Sequence, residues 1–213
     1  SSEIMEVNVF NIEGKDTGRK VTLDKNIFGI EPNNHAIYLD IKQHLANKRQ
    51  GTHKSKERAE IVGSTRKIKK QKGTGTARAG SIKNPLFKGG GRIFGPTPRD
   101  YSQKINKKVK RLARKSALSI KAKQKLIVVL EDIKWNTPKT KNYLQLLEAL
   151  GLSDKKSVLV LGDLNKNVYL SSRNLKNSSV VINSELNTYK ISDANSLVFC
   201  EGAIAGLESI LNS

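Results

Sequence analysis

Gly73-Thr74-Gly75, with Gly80 close behind, are the first residues in this 213-residue chain whose spacing could do chemistry, since glycine-rich turns cradle phosphate. A dinucleotide fingerprint needs Gly-x-Gly-x-x-Gly after a strand. Here Arg78 stands where the third glycine belongs, and Arg66 to Lys72 is no strand. A P-loop needs Gly-Lys followed by Ser or Thr, whereas Gly80 is followed by Ser81-Ile82. Both readings fail. His35, His44 and His53 have neither zinc-like spacing nor suitable acidic neighbours, and His44 is expected on a helix beside its apolar stripe. The lone Cys200 excludes an internal disulfide and a multi-cysteine zinc site; within Leu197-Val198-Phe199-Cys200 it reads as a buried, inert thiol. No Gly-x-Ser-x-Gly elbow occurs. These residues point to no catalysis, no cofactor, no metal and no small-molecule substrate.

What is left to do chemistry is cation. Lys and Arg number 39 against 19 acidic residues, a formal charge of +20. Between Lys42 and Lys125 there are 26 Lys or Arg and three acids, Glu57, Glu60 and Asp100, so this block carries +23 and the flanks −3. A confined excess of this size seeks a polyanion, either nucleic acid or an anionic membrane surface. The longest aliphatic run, Leu126 to Leu130, falls far short of the roughly 20 residues a bilayer demands, and nothing reads as a signal peptide. Metal-dependent nuclease chemistry gathers several carboxylates, so three acids make an enzyme centred on the block implausible. Cysteine usage fits a reducing cytoplasm.

The elements that must position this block are legible in the flanks. Val7, Val9 and Phe10 suggest a strand, Gly14 and Gly18 turns, and Val21 to Leu23 a second strand. Pro32-Asn33-Asn34 opens a helix with Ile37, Ile41 and Leu45 on one face. After the block, Lys125 to Leu130 reads as a buried strand. Thr137 is the expected N-cap and Pro138 the first position of a helix presenting Tyr143, Leu144, Leu147 and Leu150 and stopping at Gly151. Ser157 to Leu161 is then a strand and Asn165 to Leu175 a helix. Val180 to Ile182, a short helix near Tyr189, Leu197 to Cys200 and a final helix from Gly202 to Leu211 follow. Such alternation predicts an α/β fold: a mostly parallel sheet with helices on both faces, a Rossmann-like three-layer arrangement interrupted by a long extended basic loop.

The block breaks the pattern. Ala46 to Gln103 has few large apolar residues and much Gly, Lys, Arg, Ser and Thr, so alone it cannot offset the entropy of ordering and should be flexible. The chain therefore divides into a globular domain, 1–45 with 104–213, and a loop, 46–103. A helix from about Lys104 to Lys123 is expected to return to the domain. At 100° per residue Lys104, Lys108, Arg111 and Lys115 share one side, with Lys107, Lys110 and Arg114 alongside. Ile105, Val109, Leu112, Ala113 and Ile120 lie opposite, and Leu118 falls among the cations. Without an interleaved acid these cations repel one another unless phosphate offsets them.

The loop's motifs are specific. Arg49-Gln50-Gly51-Thr52, Gln71-Lys72-Gly73-Thr74-Gly75, Ala77-Arg78-Ala79-Gly80-Ser81-Ile82-Lys83, Gly89-Gly90-Gly91, Phe94-Gly95-Pro96, Pro98-Arg99-Asp100-Tyr101 and Ser102 to Lys108 resemble the universal large-subunit ribosomal protein L-four family, bacterial type. Leu126 to Val129 and Pro138 to Lys141 match as well, and the resemblance runs from about Met5 to the C-terminus. Ser1 to Ile4 precede it and receive no role.

The resemblance implies a cytoplasmic structural constituent of the large subunit. Its partners would be 23S-type rRNA, protein L-twenty-two at the tunnel constriction and other large-subunit proteins. The tip, Lys72, Gly73, Thr74, Gly75 and Thr76, would line the narrow part of the nascent-peptide exit tunnel. About fifty residues folded out and back could span roughly 80 Å at about 3.3 Å per residue. The rRNA-binding residues would be Arg49, Arg66, Lys67, Lys69, Lys70, Lys72, Gly73, Gly75, Arg78, Ser81, Lys83, Lys88, Arg92 and Arg99 in the loop. Lys104, Lys107, Lys108, Arg111, Arg114 and Lys115 would follow on the helix. Phe87, Phe94 and Tyr101 are the candidate base-stackers, with packing against the domain as the other possibility. An off-ribosome regulatory RNA-binding protein is the alternative. An RNA-modifying enzyme is a third class, disfavoured by the missing fingerprints.

Overall fold

The computed structural model describes residues 5–212; Ser1 to Ile4 lie outside them. By mutual contact the chain separates into an α/β unit, up to Leu45 and again from Lys104, and a second unit, Ala46–Gln103.

The α/β unit is built on six strands in the order β2-β1-β3-β6-β4-β5. β1 (Met5–Phe10) and β2 (Asp16–Leu23) form the antiparallel edge. Their turn is closed by the Asn11 side chain, which accepts the N–H groups of Glu13 and Lys15. β3 (Ile127–Leu130), β4 (Ser157–Leu161), β5 (Ser178–Ile182) and β6 (Ser196–Cys200) are mutually parallel, and β1 joins them through Val9 and Phe10 against Val129 and Leu130. Every residue of β4 and β6 is buried. Successive side chains point to opposite faces, so both faces of these strands are covered, the usual state of a parallel sheet.

The helices are α1 (Lys25–Phe28), α2 (Asn34–Lys48), α3 (Lys107–Lys123), α4 (Thr140–Ala149), α5 (Lys166–Ser172), α6 (Thr188–Asp193) and α7 (Glu201–Asn212). α3 packs on α1 and α6, α4 on α5, and α7 on β4 and β6. Phe28 meets Phe199 edge-on, with ring centroids 6.3 Å apart. Buried Tyr143 accepts a hydrogen bond from Ser178 at 2.9 Å, and burial pushes its phenol up to about 12. Cys200 is buried as expected, its thiol likewise pushed up to about 12 by burial.

Several local expectations are corrected. β2 begins at Asp16, and Gly18, expected at a turn, lies inside it at φ +73° near an irregularity in the β1 pairing. On α2 the buried stripe is Ala36, Asp40 and Gln43; Leu45 is exposed and Ile37 and Ile41 only half-buried. The stripe turns this way because Asp40 accepts a buried hydrogen bond from the Thr188 hydroxyl at the start of α6. α4 starts at Thr140, not after Thr137, and Leu144 is exposed. Asn165 and Asn167 donate to the carbonyls of Ile133 and Trp135, and the Lys139 N–H is taken by Ser171, so the preceding segment is held outside the helix. Gly151 does end α4, at φ +65°, with the Leu152 N–H returning to Leu147 O at 2.8 Å. α5 is shorter than expected, closing at Ser172.

Candidate nucleic-acid interface

α3 carries the cations of the α/β unit. It begins at Lys107, so Lys104 precedes it, with Asn106 as its N-terminal boundary residue. The expected apolar side is only partly right. Leu118, read as an exception among cations, is wholly buried, while Leu112 is exposed. The second half of the helix is buried at four consecutive positions, Ser116 to Ser119. Two serines make this possible. Ser119 Oγ donates to Ile27 O at 2.9 Å and accepts from Ile30 N–H at 3.2 Å, and Ser116 Oγ accepts from Asn33 N–H at 3.1 Å. Small hydroxyl side chains let the segment before α2 lie directly on the helix while satisfying its backbone. Amphipathic periodicity misses a helical segment buried at successive positions.

The predicted residues on this helix are therefore not equivalent. Lys107 and Lys108 are exposed; Arg111, Arg114 and Lys115 are half-buried. Lys115 Nζ donates to Asn212 Oδ1 at 3.2 Å, and Asn212 Nδ2 donates to Asp24 at 2.9 Å, which ties this cation to α7 and the α1 cap. Arg114 Nε is enclosed and meets no partner within the described residues.

In the second unit no residue from Arg49 onward belongs to a helix or strand, and Gly91 is its only buried residue. A nested series of rungs nevertheless joins its outgoing and returning halves. Asn47 and Gln103 exchange two hydrogen bonds, at 2.8 and 3.3 Å. Arg99 N–H donates to Gly51 O at 3.2 Å, Ser55 N–H to Pro96 O at 3.0 Å and Arg92 N–H to Lys56 O at 3.0 Å. Ile68 N–H donates to Gly80 O at 2.9 Å, and Lys69 Nζ to Thr76 Oγ1 at 2.7 Å. The halves run so close at Gly91 that a Cβ there would lie 2.4 Å from Arg58 N. Glycine is thus required by space, not merely by flexibility. At the tip the requirement is conformational: Gly73 and Gly75 stand at φ +81° and +61° with nothing within 4 Å.

The predicted cations Arg49, Arg66, Lys67, Lys70, Lys72, Arg78, Lys88, Arg92 and Arg99 are all exposed, and Lys69, Ser81 and Lys83 half-buried. Two of the acids are engaged internally. Glu60 pairs with Lys54, whose hydrogen bond holds its carboxyl below the usual range; hydrogen bonds from Ser102 do the same for Asp100. Tyr101, a candidate stacker, is already stacked: Arg49 lies 3.8 Å from its ring centroid, Arg99 4.5 Å, and its hydroxyl is 3.2 Å from His53 Nε2. That clamp leaves no periodic signature in the sequence. Phe94, by contrast, is 104% exposed, while Phe87 is 37% exposed.

The nucleotide-site alternative can be tested at the carboxyl ends of β3, β4 and β6, where open α/β sheets bind ligands. The crevice there has a volume of about 520 Å³. Its helix end, at α7, is capped by the chain's own carboxylate: Gly202 N–H donates to Asp132 Oδ1 at 3.1 Å. A phosphate at this place would meet Asp132 instead of free N–H groups. Among the described residues no group of His, Cys, Asp and Glu is placed to hold a metal ion.

An α/β unit of this kind, bearing exposed cation on an irregular glycine-rich segment and on one helix, defines a basic protein built to bind a polyanion. Residues 21–210 match the model of the ribosomal protein L4/L1 family. The chain is 68% identical over 208 residues to "Large ribosomal subunit protein uL4" of Christiangramia forsetii and, equally, to that of Flavobacterium psychrophilum, covering 98% of this chain and 100% of each relative. It is 59% identical over 207 residues to the protein of the same name from Bacteroides fragilis, covering 97% of this chain and 100% of the relative. The chain belongs to the ribosomal protein L4/L1 family. It is a ribosomal protein, a structural component and not an enzyme.

Proposed function

We propose that the chain is a constituent of the large ribosomal subunit in the cytoplasm. In this reading it binds 23S-type rRNA through the arm, 46–103, and the exposed start of α3. The observation that carries it is an arm with a single buried residue and almost uniformly positive charge. Such a segment gains its stability from neutralised phosphate instead of a core. The arm threads the RNA, and its tip, Lys72 to Thr76, lines the constriction of the peptide exit tunnel opposite protein L-twenty-two. Support for the tip comes from the last rungs, Ile68 to Gly80 and Lys69 to Thr76, which bracket a reversal at Gly73 and Gly75. The names of the relatives supply the large subunit. For the α/β unit we infer a Rossmann-like three-layer arrangement. The right-handed crossover rule carries α4 and α5 over one face and α6 over the other, where α3 packs on α6.

Sedimentation of tagged full-length chain from a cell extract tests the assignment. It should travel in stoichiometric amount with large subunits and remain there after a moderate salt wash. Recovery only in light fractions would favour the off-ribosome regulatory reading instead.

A further inference from the structure

We propose that Phe94 is a nucleobase-stacking site, taking an unpaired base of bound RNA in the cleft beside Pro85 and Ile93, with Arg58 and Arg92 on the flanking phosphates. The proposal deepens the RNA-binding reading and rests on it.

The backbone presents this ring deliberately. Two rungs, Arg92 N–H to Lys56 O and Ser55 N–H to Pro96 O, pin the chain on either side of Ile93-Phe94-Gly95. The three residues between them project as an excursion. Gly95 cannot be anything larger, since a Cβ would lie 2.6 Å from that of Ser55. Phe94 itself sits at φ +53°, a left-handed conformation that an aromatic residue rarely adopts. It is held in this strained state while wholly exposed, at 104% for the residue, and Ile93 beside it is 62% exposed. Strain of this sort persists where surrounding structure enforces it for use. A neighbouring cleft of about 750 Å³ has room for a nucleotide. Its charged lining is Arg58 and Arg92 against the single acid Glu57, which favours an anionic ligand. Of the arm's other aromatics, Tyr101 already meets the guanidinium groups of Arg49 and Arg99, and Phe87 is more enclosed. Stacking accepts any base, because every base offers a π-face.

The test uses full-length chain and two probes: a twelve-nucleotide adenosine RNA, and an abasic strand of the same length and charge. Wild type should prefer the base-bearing strand. Phe94→Ala should lose about tenfold for that strand and nothing for the abasic one, and Phe94→Trp should restore it. Arg92→Ala should weaken both strands alike. Equal binding of the adenosine strand by Phe94→Ala and wild type would overturn the stack while leaving the RNA-binding reading intact, and would assign the exposed ring to a protein neighbour. Full rescue by Phe94→Leu would reduce the site to apolar contact and also overturn it. Failure of wild type to bind either strand at low salt would overturn both readings.

Discussion

Leu118 and Leu112 show how far single residues depart from helical periodicity. Counting around α3 puts Leu112 on the apolar side and Leu118 among cations, yet Leu118 is wholly buried and Leu112 39% exposed. Leu118→Asp should therefore destabilise the domain by about 3 kcal/mol or more, from a buried charge added to a lost apolar contact. Leu112→Asp should stay within about 0.5 kcal/mol, as surface changes do. Urea unfolding of the two variants checks the pair; the reverse order would mean α3 is rotated. Cys200 gives a second residue-scale expectation. Its unfolded thiol ionises near 9.0 and its folded thiol at about 12, so the protonated form is the one folding favours. The stability this contributes is whole below 9.0 and is lost as pH rises through 12. Folded protein at neutral pH should resist thiol reagents, and Cys200→Ala should soften the alkaline loss of melting temperature, with Tyr143 accounting for part of what remains. A thiol that labels rapidly in the native state would contradict its burial.

Among the elements, the strands were the most readable, because Val158 to Leu161 and Leu197 to Cys200 are short apolar runs that only a covered sheet accommodates. Helix ends were less so. Thr137-Pro138 has good starting chemistry, but Asn165 and Asn167, far along the chain, hold the preceding backbone extended. Tertiary hydrogen bonds of this kind leave no local trace. The arm was legible in composition and opaque in detail. Its charge and glycines pointed to RNA, whereas the rungs and the Tyr101 clamp depend on pairs such as Gly51 with Arg99, distant in sequence and without period. One glycine tests the rungs. Gly91→Ala places a methyl group against the backbone at Arg58, and overpacking of that order costs about 1–3 kcal/mol. RNA affinity should fall by about tenfold or more. Gly80→Ala, with nothing within 4 Å of the added carbon, should bind as wild type. Filter binding to large-subunit rRNA measures both; equal loss in the two would show that the arm needs flexibility and not close approach.

For the whole molecule, core and charge are separated along the chain. Every buried apolar side chain of the described residues lies outside 46–103, while the exposed predicted cations from Arg49 to Arg99 lie inside it. Folding and RNA affinity should accordingly be separable by a single replacement. Exchanging residues 52–98 for a short Gly-Ser linker joins Gly51 to Arg99, whose hydrogen bond already brings these backbones together at 3.2 Å. The linker spans little distance, and changing loop length costs only a fraction of a kcal/mol per doubling, roughly 0.6. The domain should melt within a few degrees of the parent, because no core contact is removed. RNA binding should change in character as well as strength. Each phosphate released from the footprint lowers the slope of log affinity against log salt by about 0.7 to 0.9. Loss of the arm should therefore flatten that slope by several units, leaving a shallow remainder from Lys107, Lys108 and their neighbours on α3. A titration of both proteins with rRNA across a salt series gives the two slopes directly. An unchanged slope would place the binding charge on the α/β unit, and a collapsed domain would mean that the arm stabilises the fold it interrupts.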